Sequence, residues 1–384
     1  MNLIALKMLM GDRAKYLGIV IGLTFASLLI TQQLAIFIGL MARTHGAIDD
    51  LGYPDVWVMD PKVRFIDDVK PMQDTQSTRV RGVEGVEWAV PLYKGLIKAR
   101  LSNGSFQTCN VMGLDDATLI GGPPAMVQGK LSDLWHADAV IVDALAASDK
   151  LAHEFPDGHK EPLRVGQTME LNDHHVTVVG LSQNTRTFMS QPVVYTTYTR
   201  ATTFAPQERK LLSFVLVGVK KGQDVKEVCR RIEAATGQTA LSRDEFKART
   251  RDYYMKSTGI PINFGIAVVL GFVVGTAIAG QTFYNFTLDN LRHMGALKAM
   301  GASNGQLRRM ILLQSLLVGS IGYGLGVGLA AVMGFALGNT ELAFLMPWWL
   351  LFITAGAITL ICAGASLVSL HKVVTLEPAI VFKS

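Results

Sequence analysis

The stretch TLDNLRHMGALKAMGASNGQLRRM, residues 287–310, is a short basic segment between two long apolar runs. Its basic side chains are Arg292, Lys298, Arg308 and Arg309. The flanking runs, residues 262–286 and 311–338, contain no Asp, Glu, Lys, Arg or His. Each run is long enough to span a bilayer, which needs about 20 apolar residues. The chain is therefore predicted to leave the membrane, form a brief basic corner and return.

The composition places the chain among membrane proteins with one large polar insert. Hydrophobic residues make up 49% and charged residues only 17% of the 384 residues, whereas a soluble protein carries about a quarter charged residues. The apolar excess is concentrated in four blocks. The net charge of +5 is small and spread along the chain, which argues against nucleic acid as a partner.

Four transmembrane helices are predicted from uncharged runs of sufficient length. They cover residues 17–42, 262–286, 311–338 and 347–370. Residues 1–16 precede the first span and mix apolar with basic residues. Their apolar positions at helical spacing are Leu3, Leu6, Leu9 and Met10. This segment is predicted to form an amphipathic helix at the cytoplasmic surface of the membrane.

The basic residues of the short segments set the predicted topology through the positive-inside rule. Lys or Arg occurs in residues 1–16, in 287–310 and in the tail 371–384, whereas the loop 339–346 has neither. Both termini and the basic corner are therefore predicted to be cytoplasmic. The polar insert, residues 43–258, is predicted to lie on the opposite side of the membrane.

Residues 43–258 are predicted to form an α+β domain. Runs such as VWVMD, AVIVD and HHVTVVGL are rich in β-branched residues, as strands are. The run DVKEVCRRIEAATG is typical of a helix that Asp224 caps and Gly237 ends. The insert is long enough to bury a core of its own. Whether it forms one body or two lobes stays open, since no clear linker is visible in it.

Two features of this insert leave alternatives open. Cys109 and Cys229 could pair on an oxidising side of the membrane, although two separate buried thiols are the favoured interpretation. The stretch GLSQNTRTFMSQPVVYTTY, residues 180–198, is either an exposed loop that binds a partner or substrate, or an ordinary connection.

The insert shows no catalytic or metal-binding motif. Neither GxSxG nor HExxH occurs in it, and its cysteines lie in no CxxC or Cys/His cluster. The stretch LAHEFPDGHKEPL, with His153, Glu154, His159 and Glu161, is either a solvated loop, which is the favoured interpretation, or a weak metal site. The stretch nearest to a phosphate-binding loop, PAMVQGKL at 124–131, lacks the first Gly and the final Ser or Thr. Any ATP hydrolysis is therefore expected to belong to a separate chain.

Within residues 287–310 the pattern predicts two helices that meet at a glycine. The apolar positions of the first helix are Leu291, Met294 and Leu297. Gly301 is placed to end that helix, and Ser303 followed by Gln306 forms a capping box that starts the next one. The segment is either an interfacial anchor or a coupling helix that docks on a partner.

The glycines of the spans are spaced for close helix packing. Small residues four apart on a helix let two backbones approach each other in lipid. The pairs are Gly271 and Gly275, Gly322 and Gly326, and Gly324 and Gly328. The pattern predicts tight helix contacts, either within one chain or between two copies in a dimer.

The stretch MGALKAMGAS, followed by a capped helix that enters a Gly-rich span, resembles the loop after the second span of the type VII ABC transporter permeases. These include MacB, LolC and FtsX-like proteins. The matching positions are Gly295, Leu297, Lys298, Ala299, Gly301 and Ala302. The Arg-Glu pair that opens the family pattern is absent. The longer stretch GFVVGTAIAGQTFYNFTLDNLRHMGALKAMGASNGQL is most similar to the DevC branch.

The resemblance implies a permease subunit of an exporter in a bacterial inner membrane, with cytoplasmic termini and a periplasmic insert. Such a permease forms a homodimer, and each copy docks on one ABC ATPase. The two ATPase subunits hold ATP and Mg²⁺, and this chain holds no cofactor. ATP-driven motion passes through the spans to the periplasmic domain. A periplasmic adaptor and an outer-membrane channel then carry a lipid or another amphiphile toward the outer membrane.

The resemblance also assigns roles within the basic corner. Three apolar side chains would pack into a groove of the ATPase: Leu291, Met294 and Leu297. Arg292 and Lys298 would pair with its acidic rim or with lipid phosphates, and Gly301 would end the docking helix. The alternative is an FtsX-like regulator that activates a periplasmic cell-wall hydrolase, although external domains of that branch are shorter.

Overall fold

The computed structural model describes residues 2–11, 13–101, 103–155, 157–205, 212–338 and 340–374. They fall into two compact units, Met1–Leu40 with Gly259–Ser384, and Met41–Thr258. Residues 375–384 of the predicted tail lie outside the described residues.

The described helices and strands alternate in the second unit, whereas the first unit is helical. The helices are α1 (Asn2–Gly11), α2 (Arg13–Thr44), α3 (Gly46–Asp50), α4 (Thr75–Arg81), α5 (Ala144–Ser148), α6 (Tyr198–Phe204), α7 (Val225–Thr236), α8 (Arg243–Ser257), α9 (Ile260–Asp289), α10 (Leu291–Ala299), α11 (Asn304–Ala336) and α12 (Trp348–Val374). The strands are β1 (Val56–Met59), β2 (Val86–Arg100), β3 (Phe106–Leu114), β4 (Ala125–Gln128), β5 (Ala139–Asp143), β6 (His153–Glu154), β7 (Lys160–Glu161), β8 (Thr168–Leu171), β9 (His174–Gln183), β10 (Val193–Thr197), β11 (Phe214–Val219) and β12 (Thr239–Ser242).

Four of these helices, α2, α9, α11 and α12, are long and apolar enough to cross a membrane. The predicted fold class is confirmed: one such helix precedes the α+β unit and three follow it. Helices α2 and α9 extend beyond both ends of the apolar runs from which they were predicted, whereas α11 and α12 each extend beyond one end only. Helix α11 begins at Asn304, inside the basic segment, because its cap lies at Ser303.

Helix α2 packs closely against α9 and α11 through small residues. A Cβ at Gly326 would lie 2.5 Å from Ser27 Cβ and 2.6 Å from the Thr24 carbonyl oxygen. A Cβ at Gly275 would lie 2.5 Å from Ala26 Cβ. These glycines therefore hold helices of one chain together.

The other glycines of the predicted pairs divide between two situations. A Cβ at Gly322 would lie 2.7 Å from Leu23 Cβ, and one at Gly271 would make an ordinary 3.4 Å contact with Leu29 Cβ. By contrast, apart from the adjoining residues and the nearby backbone of α11 itself, no atom of the described residues lies within 4 Å of a Cβ at Gly324 or Gly328. The two interleaved pairs of α11 therefore face different surroundings.

One half of the second unit, built from segments at both ends of its sequence, is a split β-α-β-β-α-β arrangement. Its strands run in the order β12-β1-β11-β2, and each neighbouring pair is antiparallel. Helix α7 belongs to the core cluster on one face through Val228 and Ile232. On the other face Phe246 of α8 packs against Trp57 and Phe214, with ring centroids 5.5 and 5.9 Å away.

The second half is a ring of strands with its own core. Pairing runs β2-β3-β10-β5-β9-β8 and returns to β2. Alternate residues of these strands form one buried cluster that includes Ile97, Cys109, Val140 and Val178. Strand β2 pairs with β11 up to Leu92 and with β3 from Tyr93 onward. Because one strand belongs to both halves, the chain needs no linker between them.

The two cysteines of the insert lie in different cores. Cys109 belongs to the cluster inside the ring, and Cys229 to the cluster under α7. Both are free and buried, and burial raises the pKa of each thiol to about 12. The interpretation as two separate buried thiols is confirmed.

The pair Gly326 and Gly328 gives a matched test of helix packing. Gly326→Ala is expected to lower the free energy of unfolding by about 1–3 kcal/mol, because the new methyl group overlaps α2. Gly328→Ala should leave stability unchanged or slightly higher, because the site is open and Ala favours helix. Thermal unfolding of the purified chain in mild detergent measures both, and an equal loss at both sites would contradict the described packing.

Asp143 gives a second test, in the second unit. Its carboxylate caps α5 by accepting from the Ala146 N–H at 3.2 Å, and burial raises its pKa above the ordinary 3.8. The folded chain thus keeps this proton to higher pH than the unfolded chain. The contribution of Asp143 to stability is full below pH 3.8 and is lost as the pH rises through the raised pKa.

Asp143→Asn keeps a capping oxygen but cannot ionise. The melting temperature of this variant relative to wild type is therefore expected to rise between about pH 4 and pH 7. Asp138→Asn, at an exposed position, is the control and should show no such trend. A flat difference for Asp143→Asn would show that ionisation of the carboxyl group is not opposed by its burial.

Candidate coupling element

Helix α10 starts after a sharp break at the end of α9. Asn290, with φ −92° and ψ 5°, separates the two helices. Its side-chain Nδ2 donates to the Phe286 carbonyl oxygen at 2.9 Å, and the neighbouring Asp289 forms an ion pair with Lys15 of α2. The start of α10 is therefore attached to the end of α9 and to the first span.

Gly301 ends α10 in a Schellman motif. Its φ of +98° lies in the left-handed region that favours glycine. The Gly301 N–H donates to the Lys298 carbonyl at 3.0 Å, and the Ala302 N–H donates to the Leu297 carbonyl at 3.0 Å. These two bonds satisfy carbonyl groups that the helix end would otherwise leave unpaired.

Helix α11 restarts two residues later with the predicted capping box. Ser303 Oγ accepts from the Gln306 N–H at 3.3 Å, and Gln306 Oε1 accepts from the Ser303 N–H at 2.9 Å. The reversal between α10 and α11 thus has a hydrogen-bonded cap on each side. We call residues 290–310 the coupling element.

The inner face of α10 packs against α11. Met294 is 1% exposed and forms a cluster with Leu307, Met310 and Ile311. Leu297 is partly buried against the same cluster. The sequence-based role of Met294 in an ATPase groove is not compatible with this burial, because the corner folds α10 back on its own chain. Met294 therefore does not belong to the exposed face of α10.

The outer face of α10 is basic and carries one exposed apolar side chain. It consists of Arg292, His293, Ala299 and Met300, and Met300 is 75% exposed. Leu291 and Lys298 are half-buried at its margin. Such a face can contact an acidic groove or anionic lipid headgroups. It carries no acidic residue, and no group of three or more described His, Cys, Asp and Glu residues in the chain could hold a metal ion.

Met300 was not among the sequence-based site residues, and helix geometry explains the omission. Each residue of an α-helix is rotated by about 100° around the helix axis from the residue before it. Residues three apart are therefore offset by roughly 60° around the axis. The apolar stripe that starts on the inner face at Met294 has therefore rotated to the outer face by Met300. The spacing of three predicted the helix, but it did not predict which apolar side chain remains exposed to solvent.

The second unit has a polar link between the segment after α2 and the helix before α9. Lys247 of α8 forms an ion pair with Asp49 of α3. Burial alone would raise the pKa of Asp49, but hydrogen bonds from Lys247 and His45 outweigh it and lower the pKa. The adjacent Asp50 accepts from the N–H and hydroxyl of Thr185 at 2.9 and 2.6 Å. The Asp49–Lys247 pair thus joins the segments near the two ends of this unit, and Asp50 joins the first of them to the stretch 180–198.

Two family descriptions match the chain. The MacB-like periplasmic core domain matches residues 16–235, which is more than half of the chain. The FtsX-like permease C-terminal domain matches residues 265–378, which include the coupling element and the last two spans. No curated protein matches the chain.

Three solved domains of transporter or permease proteins show low similarity to this chain. The extracellular domain of the noncanonic ABC-type transporter YknZ from Gram-positive bacteria shares 12% identity and a TM-score of 0.34, covering 49% of this chain and 99% of its own. The periplasmic region of MacB from Actinobacillus actinomycetemcomitans shares 14% identity and a TM-score of 0.37, covering 50% of this chain and 90% of its own. A domain of a putative permease protein from Porphyromonas gingivalis shares 13% identity and a TM-score of 0.30, covering 45% of this chain and 77% of its own.

Met294, on the inner face, and Met300, on the outer face, allow the packing of α10 against α11 to be tested. Met294→Ala is expected to lower the free energy of unfolding by about 2–5 kcal/mol, because it leaves a cavity in the cluster with α11. Met300→Ala should change it by less than about 0.5 kcal/mol, because the side chain is exposed. Thermal unfolding in mild detergent separates the two, and a destabilised Met300→Ala would place that side chain in a packed contact.

Proposed function

The chain belongs to the family of ABC-type transporter permeases that have a MacB-like periplasmic core domain and an FtsX-like permease C-terminal domain, and we propose that it works by mechanotransmission. In this proposal a separate ABC ATPase docks on the outer face of α10. Its ATP-driven motion is passed through the spans to the periplasmic domain. The observation that carries the proposal is the doubly capped corner between α10 and α11, with a basic outer face and a packed inner face.

A helix that transmits motion from a docked ATPase must move together with the membrane-spanning helices to which it is attached. Met294 and its cluster attach α10 to α11, while Asn290 attaches it to the last turn of α9. A displacement of α10 therefore moves both helices instead of deforming a loop. Helix α9 continues for 30 residues from Asp289 back to Ile260, a distance of about 45 Å at about 1.5 Å per residue.

The chemistry of ATP hydrolysis is assigned to the partner. The chain has no GxxxxGK[ST] motif, so ATP and Mg²⁺ belong to the ATPase subunits, of which we propose two. Each would meet one copy of this chain in a homodimer. Gly324 and Gly328 lie on an open face of α11, and we assign them to helix contacts between copies. Gly322 and Gly326 are already occupied by α2.

The proposed cargo is a lipid or another amphiphile, taken from the membrane and passed to a periplasmic adaptor and an outer-membrane channel. The similarity of residues 271–307 to the DevC branch supports this route. The distribution of Lys and Arg in the short segments supports an inner-membrane location with cytoplasmic termini. The FtsX-like match at residues 265–378 also fits a regulator that acts on a cell-wall hydrolase, and the test below separates these roles.

The tagged chain, purified from its native membrane in mild detergent, is expected to bring an ABC ATPase and a periplasmic adaptor with it. The double variant Arg292→Glu, Lys298→Glu should reduce recovery of the ATPase at least tenfold, because it reverses the charge of the docking face. The double variant Lys220→Glu, Lys221→Glu, at two exposed sites in the periplasmic domain, makes the same change in net charge and should leave recovery unaltered. Mass spectrometry of the co-purified proteins provides the measurement.

Each result has a distinct meaning. An ATPase with a cell-wall hydrolase, and no adaptor, would replace the exporter by the regulator. Unchanged ATPase recovery with the double variant would move the docking surface away from α10. A folded chain that brings no ATPase would reduce the coupling element to a membrane anchor.

A further inference from the structure

The periplasmic domain contains a cavity of about 530 Å³ on the outer surface of the β2–β3 pair. Its floor is formed by the two strands. Its walls are residues 67–71, which precede α4, and residues 187–191, which lie between β9 and β10. This volume falls in the range of small-molecule sites, about 300–1,000 Å³. One wall belongs to the stretch 180–198, for which the sequence left a binding loop and an ordinary connection as alternatives.

Strand periodicity places polar and apolar side chains together on the floor. Lys94 and Leu96 are two apart on β2 and so share a face, and Leu96 is paired across the strands with Asn110 of β3. The alternate residues, such as Ile97 and Cys109, fill the core of the ring instead. The sheet therefore shows the cavity a surface that is separate from its own core.

The charges at the cavity are paired within the domain. Lys94 is only 4% exposed, and its Nζ donates to Asp67 at 2.5 Å. Lys70, on the same wall as Asp67, forms an ion pair with Asp68 at 2.7 Å. A ligand with a net charge would have to compete with these pairs or lie uncompensated beside them. The site therefore favours a head group without net charge.

One hydrogen-bond acceptor among the residues that line the cavity has no donor. Asn110 is 4% exposed, and its Oδ1 is buried without a hydrogen bond from any described residue. A buried amide oxygen without a partner costs free energy that a donor can recover. The neighbouring Ser213, by contrast, is satisfied, since its hydroxyl accepts from the Lys94 N–H and donates to the Lys94 carbonyl. This oxygen is itself closed off from solvent, so a turn of the Asn110 amide toward the cavity is what would offer it to an O–H or N–H donor of a ligand.

The outer part of the cavity is apolar. Leu96 is 46% exposed and Met189 is 63% exposed, and both line the cavity with Val69 and Pro71. Exposed apolar side chains in a cavity that also holds polar groups suit a ligand with a hydrocarbon part as well as a polar head. We propose that this cavity binds a single-chain amphiphile whose uncharged head, bearing a hydroxyl or amide group, donates a hydrogen bond to Asn110.

Both walls rest on one side chain of α8. Phe188, in one wall, packs against Tyr254 with ring centroids 4.6 Å apart. Phe65, two residues before the other wall, packs against the same ring at 5.4 Å. A shift of Tyr254 with α8 would change the distance between the walls, so ligand binding and motion of α8 are coupled. The inference deepens the proposed function, on which it rests for the role of the ligand as cargo.

The test uses the full chain, without an ATPase, in phosphatidylcholine nanodiscs. Met189→Cys places a reactive thiol at the opening, and the three native cysteines are buried, so an environment-sensitive maleimide labels the new site selectively. Val127→Cys, at a residue that is 60% exposed on β4 and does not line the cavity, is the matched control. The probe is monolauroylglycerol below its critical micelle concentration. Laurate and dodecyltrimethylammonium provide the charged comparisons.

A saturable fluorescence change is expected for the labelled Met189→Cys variant and not for the labelled Val127→Cys variant. Adding Asn110→Leu should weaken binding at least tenfold while the melting temperature stays equal or rises, because an unmet polar group is removed. The charged amphiphiles should bind at least tenfold more weakly. Equal fluorescence changes in the two labelled variants would mean that the probe only partitions into lipid, which would overturn the proposal. An affinity for monolauroylglycerol that is unaltered by Asn110→Leu would overturn it too, as would equal affinity for a charged amphiphile.

The same preparation separates this inference from the proposed function. Arg292→Glu with Lys298→Glu should leave the affinity for monolauroylglycerol unchanged, because the docking face is not part of the cavity. Saturable binding by a chain that brings no ATPase from its native membrane would refute the proposed function alone. An ATPase partner without saturable binding would refute the cavity assignment alone.

Discussion

A chain that leaves a bilayer and re-enters it within residues 287–310 must pair the backbone groups of two helix ends without a long loop. The corner at Leu297–Gln306 meets this constraint with a Schellman motif on one side of Ala302 and a capping box on the other. Because both helix ends are satisfied locally, α10 can lie against α11 and bury Met294. The same arrangement leaves a basic face of α10 exposed. The packing of one face of this helix and the exposure of the other thus have one structural cause.

Close approach to the first span is the second requirement of the membrane unit. The hydrophobic effect contributes little to helix association in lipid, so helix contacts depend on close van der Waals packing. Glycines of α9 and α11 bring these helices against α2, with positions where even a methyl group would overlap its neighbour. Gly324 and Gly328 lie among these glycines in sequence and yet point away from the described helices. One helix therefore has a face committed to its own chain and another that is open to lipid or to a second copy.

The periplasmic domain is organised around strand β2, which belongs to both of its halves. One face of its second part fills the ring core, and the other face forms the floor of the cavity with Lys94, Leu96 and Asn110. The walls of this cavity meet at Tyr254 of α8, the helix that precedes the second span in sequence. Neighbouring contacts tie α8 to the segment after the first span through Asp49 and Lys247. Helix α8 thus contributes both to the cavity walls, through Tyr254, and to the contact with α3, through Lys247.

The sequence by itself determined the membrane-spanning helices, the α+β insert and the caps at Gly301 and Ser303. These depend on runs of apolar residues and on hydrogen bonds between residues a few positions apart, which are legible in the order of the chain. Only the tertiary structure decided that Met294 is buried and Met300 is exposed, that Gly326 is occupied and Gly328 is open, and that Cys109 and Cys229 lie in different cores. It also decided that Lys94, Asn110 and Met189 share one cavity. The physical reason is the same in each case: these properties depend on which distant side chains fill the space around a residue, and the spacing of its neighbours in sequence does not specify that.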